Sequence, residues 1–161
     1  MLKKICNIII NILTILMIFL ILFVGYYLIQ TKVMNKKYAN ICGYTFFEVI
    51  TGSMSNTINV GDVIILKINS DYQENDIIVY ESNQNYITHR VIEINENGVV
   101  TKGDSNNVQD EVINQEQVLG KVIKILPNVA KIKNIVTPTV IVSIILIIMI
   151  CIILNVIKKV E

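Results

Sequence analysis

The sequence contains few of the residues from which metal centres and disulfide frameworks are built. Its 161 residues include one histidine and three cysteines, which are Cys6, Cys42 and Cys151. Two of the cysteines lie within long uncharged runs, so the region between those runs holds one cysteine and cannot form an internal disulfide. No Cys-x-x-Cys pair and no cysteine–histidine spacing typical of a metal site is present. The sequence therefore gives no indication of a metal centre.

The sequence also lacks a strong excess of either charge. It has 14 lysines and arginines and 13 acidic residues, with a formal net charge of +1. It contains no basic stripe with interleaved aromatic residues, the pattern typical of a nucleic-acid-binding surface. We therefore expect no nucleic-acid partner.

Charge is absent altogether from two long runs, residues 5–31 and residues 134–157. They raise the apolar share of the chain to 53% and its mean hydropathy to +0.57. A helix needs about 20 apolar residues to cross the core of a bilayer, and both runs reach that length. The sequence therefore predicts two transmembrane helices, 5–31 and 134–157, on either side of a central domain, 32–133.

Two other interpretations of the first run are open. Lys3 and Lys4 give it the basic start of a cleavable signal peptide, but such peptides have an apolar core of only about 7–15 residues. A buried helix of a soluble protein would need a larger protein around it than the roughly 100 remaining residues. A retained signal anchor fits better. Lysines flank both ends of the two runs in similar numbers, so charge does not orient the chain in a membrane.

The central region changes to short runs rich in Ile, Val, Thr and Tyr. Turn-forming clusters separate these runs, as is typical of an antiparallel sheet or small barrel. The predicted strands are 62–68, 76–82, 85–94, 98–103 and 117–126. The segment "NENG", which ends at Gly98, predicts a tight hairpin. A polar loop of about 104–116 contains two aspartates, and long polar loops in compact domains are often functional.

Three positions in this region could carry chemistry, and each also has a purely structural interpretation. His89 in "YITHRVI" is the single candidate for an imidazole base, or a half-buried histidine of a strand. Ser53 in "TGSMSNTINVGDVI" is a nucleophile or a loop hydroxyl. Asp104 and Asp110 in "VVTKGDSNNVQD" are functional acids or turn residues that bond backbone N–H groups. The spacing alone does not bring these positions together.

The three segments together resemble signal peptidase I. The segment around Ser53 is similar to the serine box of that family, in which the nucleophile directly precedes a methionine. The segment around His89 is similar to the base box, and the segment with the two aspartates is similar to the acidic Gly-Asp box. The three segments follow one another in the same order as in the family. In the common bacterial enzymes the base box contains lysine, whereas this sequence has His89. That difference resembles the endoplasmic-reticulum and archaeal subtype, also found in some spore-forming Gram-positive bacteria, which is taken to use serine, histidine and aspartate.

The resemblance implies a role for each matching residue. Ser53 would be the nucleophile, His89 the general base and Asp110 the acid that orients the base. Asp104 would shape the loop or support the site. These roles agree with the chemistry, because a serine hydroxyl needs a base and a free imidazole titrates near pH 6.5.

The same resemblance assigns the residues around the nucleophile. The backbone N–H of Ser53 and the hydroxyl of Thr51 would hold the oxyanion, and Gly52 would let the substrate backbone approach. One position departs from the family pattern. Asn56 stands where a proline usually follows the serine, and asparagine can also hold turn geometry.

The resemblance implies a mainly β fold, with a small antiparallel catalytic domain flanked by N- and C-terminal transmembrane helices. It implies a membrane-bound serine endopeptidase that removes signal peptides from exported preproteins with small residues at −1 and −3. The catalytic domain would be extracytoplasmic, both termini cytoplasmic and membrane lipid a partner. No cofactor or metal is implied.

Two rival interpretations remain. The first is a regulatory or self-cleaving protease on the same scaffold with a serine–lysine mechanism, for which Lys67 or Lys102 would be the base. The second is a non-catalytic, membrane-anchored assembly or binding module. The aromatic segment 43–49 before Ser53 is either plain core or a contact with the membrane interface.

Overall fold

The computed structural model describes residues 2–130 and, beyond them, residues 143, 145, 146, 148–150 and 153. The chain divides into two compact units. One comprises Met1–Lys37 with Lys133–Glu161, and the other comprises Tyr38–Ile132. The predicted C-terminal transmembrane helix, 134–157, lies largely outside the described residues.

The first unit contains helix α1, Leu2–Leu28, which continues into a π-helical turn, Ile29–Val33. The stretch Asn7–Val33 is long and apolar enough to cross a membrane, and it is the one such helix within the described part of the chain. Thr14 and Thr31 donate their hydroxyls to the carbonyls of Ile10 and Tyr27 at 2.8 and 2.9 Å. Their polar groups are thereby satisfied within the helix, as a lipid environment requires.

The second unit is built on one six-stranded sheet in which every neighbouring pair is antiparallel. The spatial order is β1-β2-β6-β3-β4-β5. The strands are β1 (Tyr44–Glu48), β2 (Val63–Ile68), β3 (Ile77–Ser82), β4 (Asn85–Asn95), β5 (Gly98–Lys102) and β6 (Val118–Leu126). The predicted mainly β class is confirmed, and each of the five predicted strands ends within one residue of its predicted bounds. Strand β1 was not predicted.

Two tight hairpins fix the register around β4. Asn83 and Gln84 join β3 to β4 with φ values of +48° and +66°, as expected for a type I′ turn. Asn95 pairs with Gly98 across the second turn, which confirms the hairpin predicted from "NENG". Because side chains alternate along a strand, this register decides which residues of β4 face the same way as His89.

Hydrophobic residues cover both faces of the sheet. Residues of β3 alternate between two buried clusters, with Val79 in the first and Ile78 and Tyr80 in the second. Met54 and Ile58, from the loop that contains Ser53, are buried in the first cluster. The loop is therefore held to the sheet by its own apolar side chains.

Hydrogen bonds close the base of this loop, which runs from Val49 to Asp62. Val49 N–H donates to the carbonyl of Asp62, and Gly61 N–H donates back to the carbonyl of Val49, both at 2.9 Å. The carboxylate of Asp62, a residue only 5% exposed, accepts from the N–H groups of Asn59 and Asn128 at 2.9 Å each. Asp62 thus fastens the loop to the chain that follows β6.

Replacing Asp62 by alanine is expected to destabilise the fold, because it leaves two backbone donors without their acceptor. We expect a loss of about 2 kcal/mol or more in the free energy of unfolding, measured by denaturant titration. Asp62→Asn keeps one acceptor oxygen and should lose less. Asp71→Ala, at an exposed position between β2 and β3, is the control and should change stability by no more than about 0.5 kcal/mol. Equal losses for the two alanine variants would contradict this role of Asp62.

Candidate active site

His89 lies on β4, directly opposite Ile78 of β3, and is 6% exposed. Its Nδ1 atom is 2.5 Å from Oδ2 of Asp110, which belongs to the loop after β5. The sheet therefore places the single imidazole, and the loop supplies a carboxylate to it. The spacing of the sequence did not connect these two residues, whereas the resemblance to signal peptidase I implied that Asp110 orients His89.

Two further side chains donate to the same oxygen of Asp110. Thr101 Oγ1 lies 2.6 Å from Oδ2 and Tyr80 Oη lies 3.2 Å from it. Burial, with the nearby charge of Asp110 adding to it, raises the pKa of Tyr80 to about 12. The phenol therefore keeps its proton and remains a donor. The carboxylate is held by three donors from three different strands.

The contact with Asp110 fixes the state of the imidazole. An ionised carboxylate is an acceptor only, so the hydrogen in this bond belongs to Nδ1 of His89. In the neutral ring the lone pair is then on Nε2. His89 is thus arranged to accept a proton at Nε2 and to have the resulting charge stabilised by Asp110.

Ser53 lies in a turn of the loop between β1 and β2 and is half-buried. Its carbonyl accepts a hydrogen bond from Ser105 N–H at 2.9 Å, and the hydroxyl of Ser105 donates to the carbonyl of Ser55 at 3.0 Å. Gly103 also faces this carbonyl without room for a side chain, since a Cβ atom added at that position would be 2.6 Å from the carbonyl oxygen of Ser53. The segment around Gly103 therefore supports the backbone of Ser53 directly.

Asp104 connects the Ser53 loop to the strand of His89. Its carboxylate accepts two hydrogen bonds from the guanidinium of Arg90, at 2.9 and 2.7 Å, and one from Thr57 Oγ1 at 2.5 Å. These contacts, first of all those with Arg90, lower the pKa of Asp104 below its ordinary value. The sequence left the role of Asp104 open, and in the structure its contacts hold the Ser53 loop against β4.

A cleft of about 510 Å³ lies beside Ser53. The residues around it are mostly apolar and include Thr51 and also Thr88, the residue before His89. Thr51 and Gly52 are both exposed. Within the described part of the chain no hydrogen bond joins Ser53 to His89, and catalytic hydrogen bonds commonly shorten only when substrate binds.

Several residues of the site were not found by sequence reasoning. Tyr80, Thr101 and Thr57 have ordinary residue types for strands and turns, and the partners of their hydroxyls are 30, 9 and 47 residues away along the chain. Among residues 2–130 and the few described positions beyond, no group of three or more His, Cys, Asp or Glu could hold a metal ion.

The two lysines considered as alternative bases lie on other strands. Lys67 is exposed on β2, where it pairs in register with Tyr44 and Lys121. Lys102 ends β5 opposite Arg90. The described hydrogen bonds and ion pairs connect neither lysine to Ser53. Neither has a carboxylate arrangement like that around His89.

Comparison with known proteins agrees with the sequence resemblance. Residues 25–123 match the Peptidase S24-like family. The chain is also 32% identical to "Signal peptidase I W" of Bacillus subtilis (strain 168) over 108 residues. That match covers 62% of this chain and 56% of the relative, so the chain spans little more than half of the relative's length. The resemblance to signal peptidase I is thereby confirmed.

Replacing Gly103 by alanine is expected to displace Ser53, because the new methyl group would lie 2.6 Å from the serine carbonyl. The substitution adds this steric clash but no backbone strain, since the backbone of Gly103 is not in the left-handed region. We expect the reactivity of Ser53 towards a serine-directed fluorophosphonate to fall by about 100-fold, as a misplacement of about 1 Å can cause. Gly25→Ala, with nothing within 4 Å of its added Cβ, is the control and should react like the wild type.

The ion pair of Asp104 and Arg90 makes stability depend on pH in a defined direction. The folded-state pKa of Asp104 is lowered from 3.8, so the pair stabilises the fold above that value and its contribution disappears as pH falls through the folded pKa. We expect the difference in unfolding free energy between wild type and Asp104→Asn to be full at pH 6 and to shrink below pH 3.8. Arg90→Gln should show the same pH trend, and a difference independent of pH would contradict it.

Proposed function

The chain belongs to the Peptidase S24-like family, and on that basis we propose that it is a membrane-bound serine endopeptidase that removes signal peptides from exported preproteins. The observation that carries the proposal is the buried imidazole of His89, held at Nδ1 by Asp110 with Nε2 left to accept a proton. The similarity to "Signal peptidase I W" supports the substrate class.

In the proposed reaction the hydroxyl of Ser53 attacks the carbonyl carbon of the scissile peptide while Nε2 of His89 takes the hydroxyl proton. The backbone N–H of Ser53 and the hydroxyl of Thr51 stabilise the oxyanion. His89 then gives its proton to the leaving amine, and an acyl-enzyme remains on Ser53. Water, activated by the same imidazole, hydrolyses the ester and restores the serine.

The described contacts support separate roles for the two acids. Asp110 touches the imidazole and stabilises its charged form during the reaction. Asp104 contacts Arg90 and Thr57 and acts on the geometry of the Ser53 loop rather than on the proton transfer. Asp104 is therefore proposed as a positioning residue.

The proposal includes the location and the substrate. The N-terminal helix is the membrane anchor, and a second span at 134–157 would make the protein multi-pass with both termini cytoplasmic and the catalytic domain outside. The cleft beside Ser53 is mainly apolar, which suits apolar residues such as alanine at −1 and −3. A serine–lysine protease and a non-catalytic module remain as rivals, and neither is favoured by the contacts around His89.

Alanine at either Ser53 or His89 is expected to lower processing by roughly 10⁴-fold, because the members of a triad act as a unit. The combined variant should lose little more than either single variant. The measurement is the rate of cleavage, in membranes, of a co-expressed preprotein with an Ala-x-Ala site. Ser70→Ala is the matched control, because its exposed hydroxyl donates to the carbonyl of Lys67 and it lies outside the cleft.

The outcomes separate the three interpretations. Loss of processing in both variants supports serine–histidine catalysis. An active His89→Ala variant would move the base to a lysine. If Ser53→Ala keeps the cellular role of the protein, the function is that of a binding or assembly module. A double variant that multiplied the two single losses would contradict the triad.

A further inference from the structure

Tyr86 borders two separate cavities. It lies on β4, three residues before His89, and lines the cleft of about 510 Å³ that contains Ser53. It also lines a second cavity of about 600 Å³, whose other residues include Glu81 and Glu116. The side chain of Tyr86 therefore stands where an apolar space beside the serine meets a polar space farther away.

Two other aromatic rings hold Tyr86 in this place. Phe47 lies 5.0 Å away, centre to centre, and Tyr38 lies 5.9 Å away in an edge-to-face arrangement at 81°. The rings of Tyr38 and Phe47 are 6.3 Å apart, so all three are within contact range of one another. Phe47 lines the cleft of Ser53, and Tyr38 lines the second cavity. The three rings form one wall between the two spaces.

A tyrosine is neutral at physiological pH, and burial raises the pKa of the Tyr86 hydroxyl further above its ordinary value. A neutral, rigid ring with contacts on two sides is a fixed boundary, because moving it would break two aromatic pairs. The length of a substrate side chain that can enter the cleft is then limited by the position of this ring.

We propose that Tyr86 sets the size limit for the substrate side chain that binds beside Ser53, by closing the cleft against the second cavity. This inference rests on the proposed endopeptidase function and adds to it the residue that enforces the preference for small side chains. Removing the ring joins the two cavities. The enlarged cleft then reaches Glu81 and Glu116, so it accepts longer side chains and favours a basic one over a neutral one of similar length.

The test compares wild type and Tyr86→Ala, both as full-length protein in detergent. The substrates are preprotein peptides with Ala, Leu, Met or Lys at −1 in one set and at −3 in the other. We compare kcat/KM for the Leu substrate with kcat/KM for the Ala substrate. At one of the two positions this ratio should be about 10-fold or more higher in the variant than in wild type, because apolar pockets discriminate on that scale. The variant should also cleave the substrate with Lys at that position faster than the substrate with Met there.

Three further variants keep the test sharp. Tyr86→Leu removes the ring but keeps apolar volume, so it should broaden selectivity less than Tyr86→Ala does. If Tyr86→Ala fails to fold, Tyr86→Leu should still fold and provide the test. Tyr86→Phe keeps the ring and should retain wild-type selectivity. The control is Phe46→Ala. Phe46 is next to Phe47 in β1, but its side chain points to the other face of the strand and lines a different cavity. This variant should also retain wild-type selectivity.

The failures of the two proposals are distinguishable. If wild type cleaves the Ala substrates and neither Tyr86→Ala nor Tyr86→Leu changes the ratio of Leu to Ala, the size limit lies elsewhere and the inference is wrong. Equal cleavage of Met and Lys by a broadened variant would show that the two cavities do not join. If wild type cleaves no substrate while its fold is intact, the endopeptidase proposal fails and the role of Tyr86 fails with it.

Discussion

The carboxylate of Asp110 is the group on which the arrangement of the site depends. It comes from a loop, yet it accepts hydrogen bonds from a histidine, a threonine and a tyrosine on β4, β5 and β3. A partly buried charge of this kind is tolerated only when its hydrogen-bonding capacity is used. The same donors that satisfy the charge fix its position, so the sheet dictates where the acid stands and, through it, which nitrogen of His89 is protonated.

The carboxylate of Asp104 connects two segments that are distant along the chain. The Ser53 loop and the strand of His89 belong to distant parts of the chain, and Asp104 joins them through Thr57 on one side and Arg90 on the other. Gly103 beside it has no side chain, which allows the backbone there to approach the carbonyl of Ser53. Two adjacent residues thus perform complementary tasks: one pulls the segments together by charge, and the other lets them come close.

The strands followed from the sequence because alternating apolar residues and turn-forming clusters are local signals. Strand β1 was not predicted, because its two adjacent phenylalanines could equally indicate core packing or a contact with the membrane interface. Two of the partners of Asp110, Tyr80 and Thr101, could not be predicted, because they meet it only through pairing across the sheet. Gly103 belongs to the segment that resembles the Gly-Asp box, but its close approach to Ser53, 50 residues earlier, could not be predicted from the sequence.

Strand β4 shows how one short segment can serve two purposes. Successive side chains of a strand point to opposite faces. Tyr86, Ile87 and Thr88 line the cleft beside Ser53, while His89, two residues beyond Ile87 on the same face, is held by Asp110. The residue proposed to select the substrate and the residue proposed to activate the nucleophile are thus fixed by a single register. Because the two-residue turn at Asn83 and Gln84 sets that register, a slip of one residue would exchange the two faces and destroy both functions together.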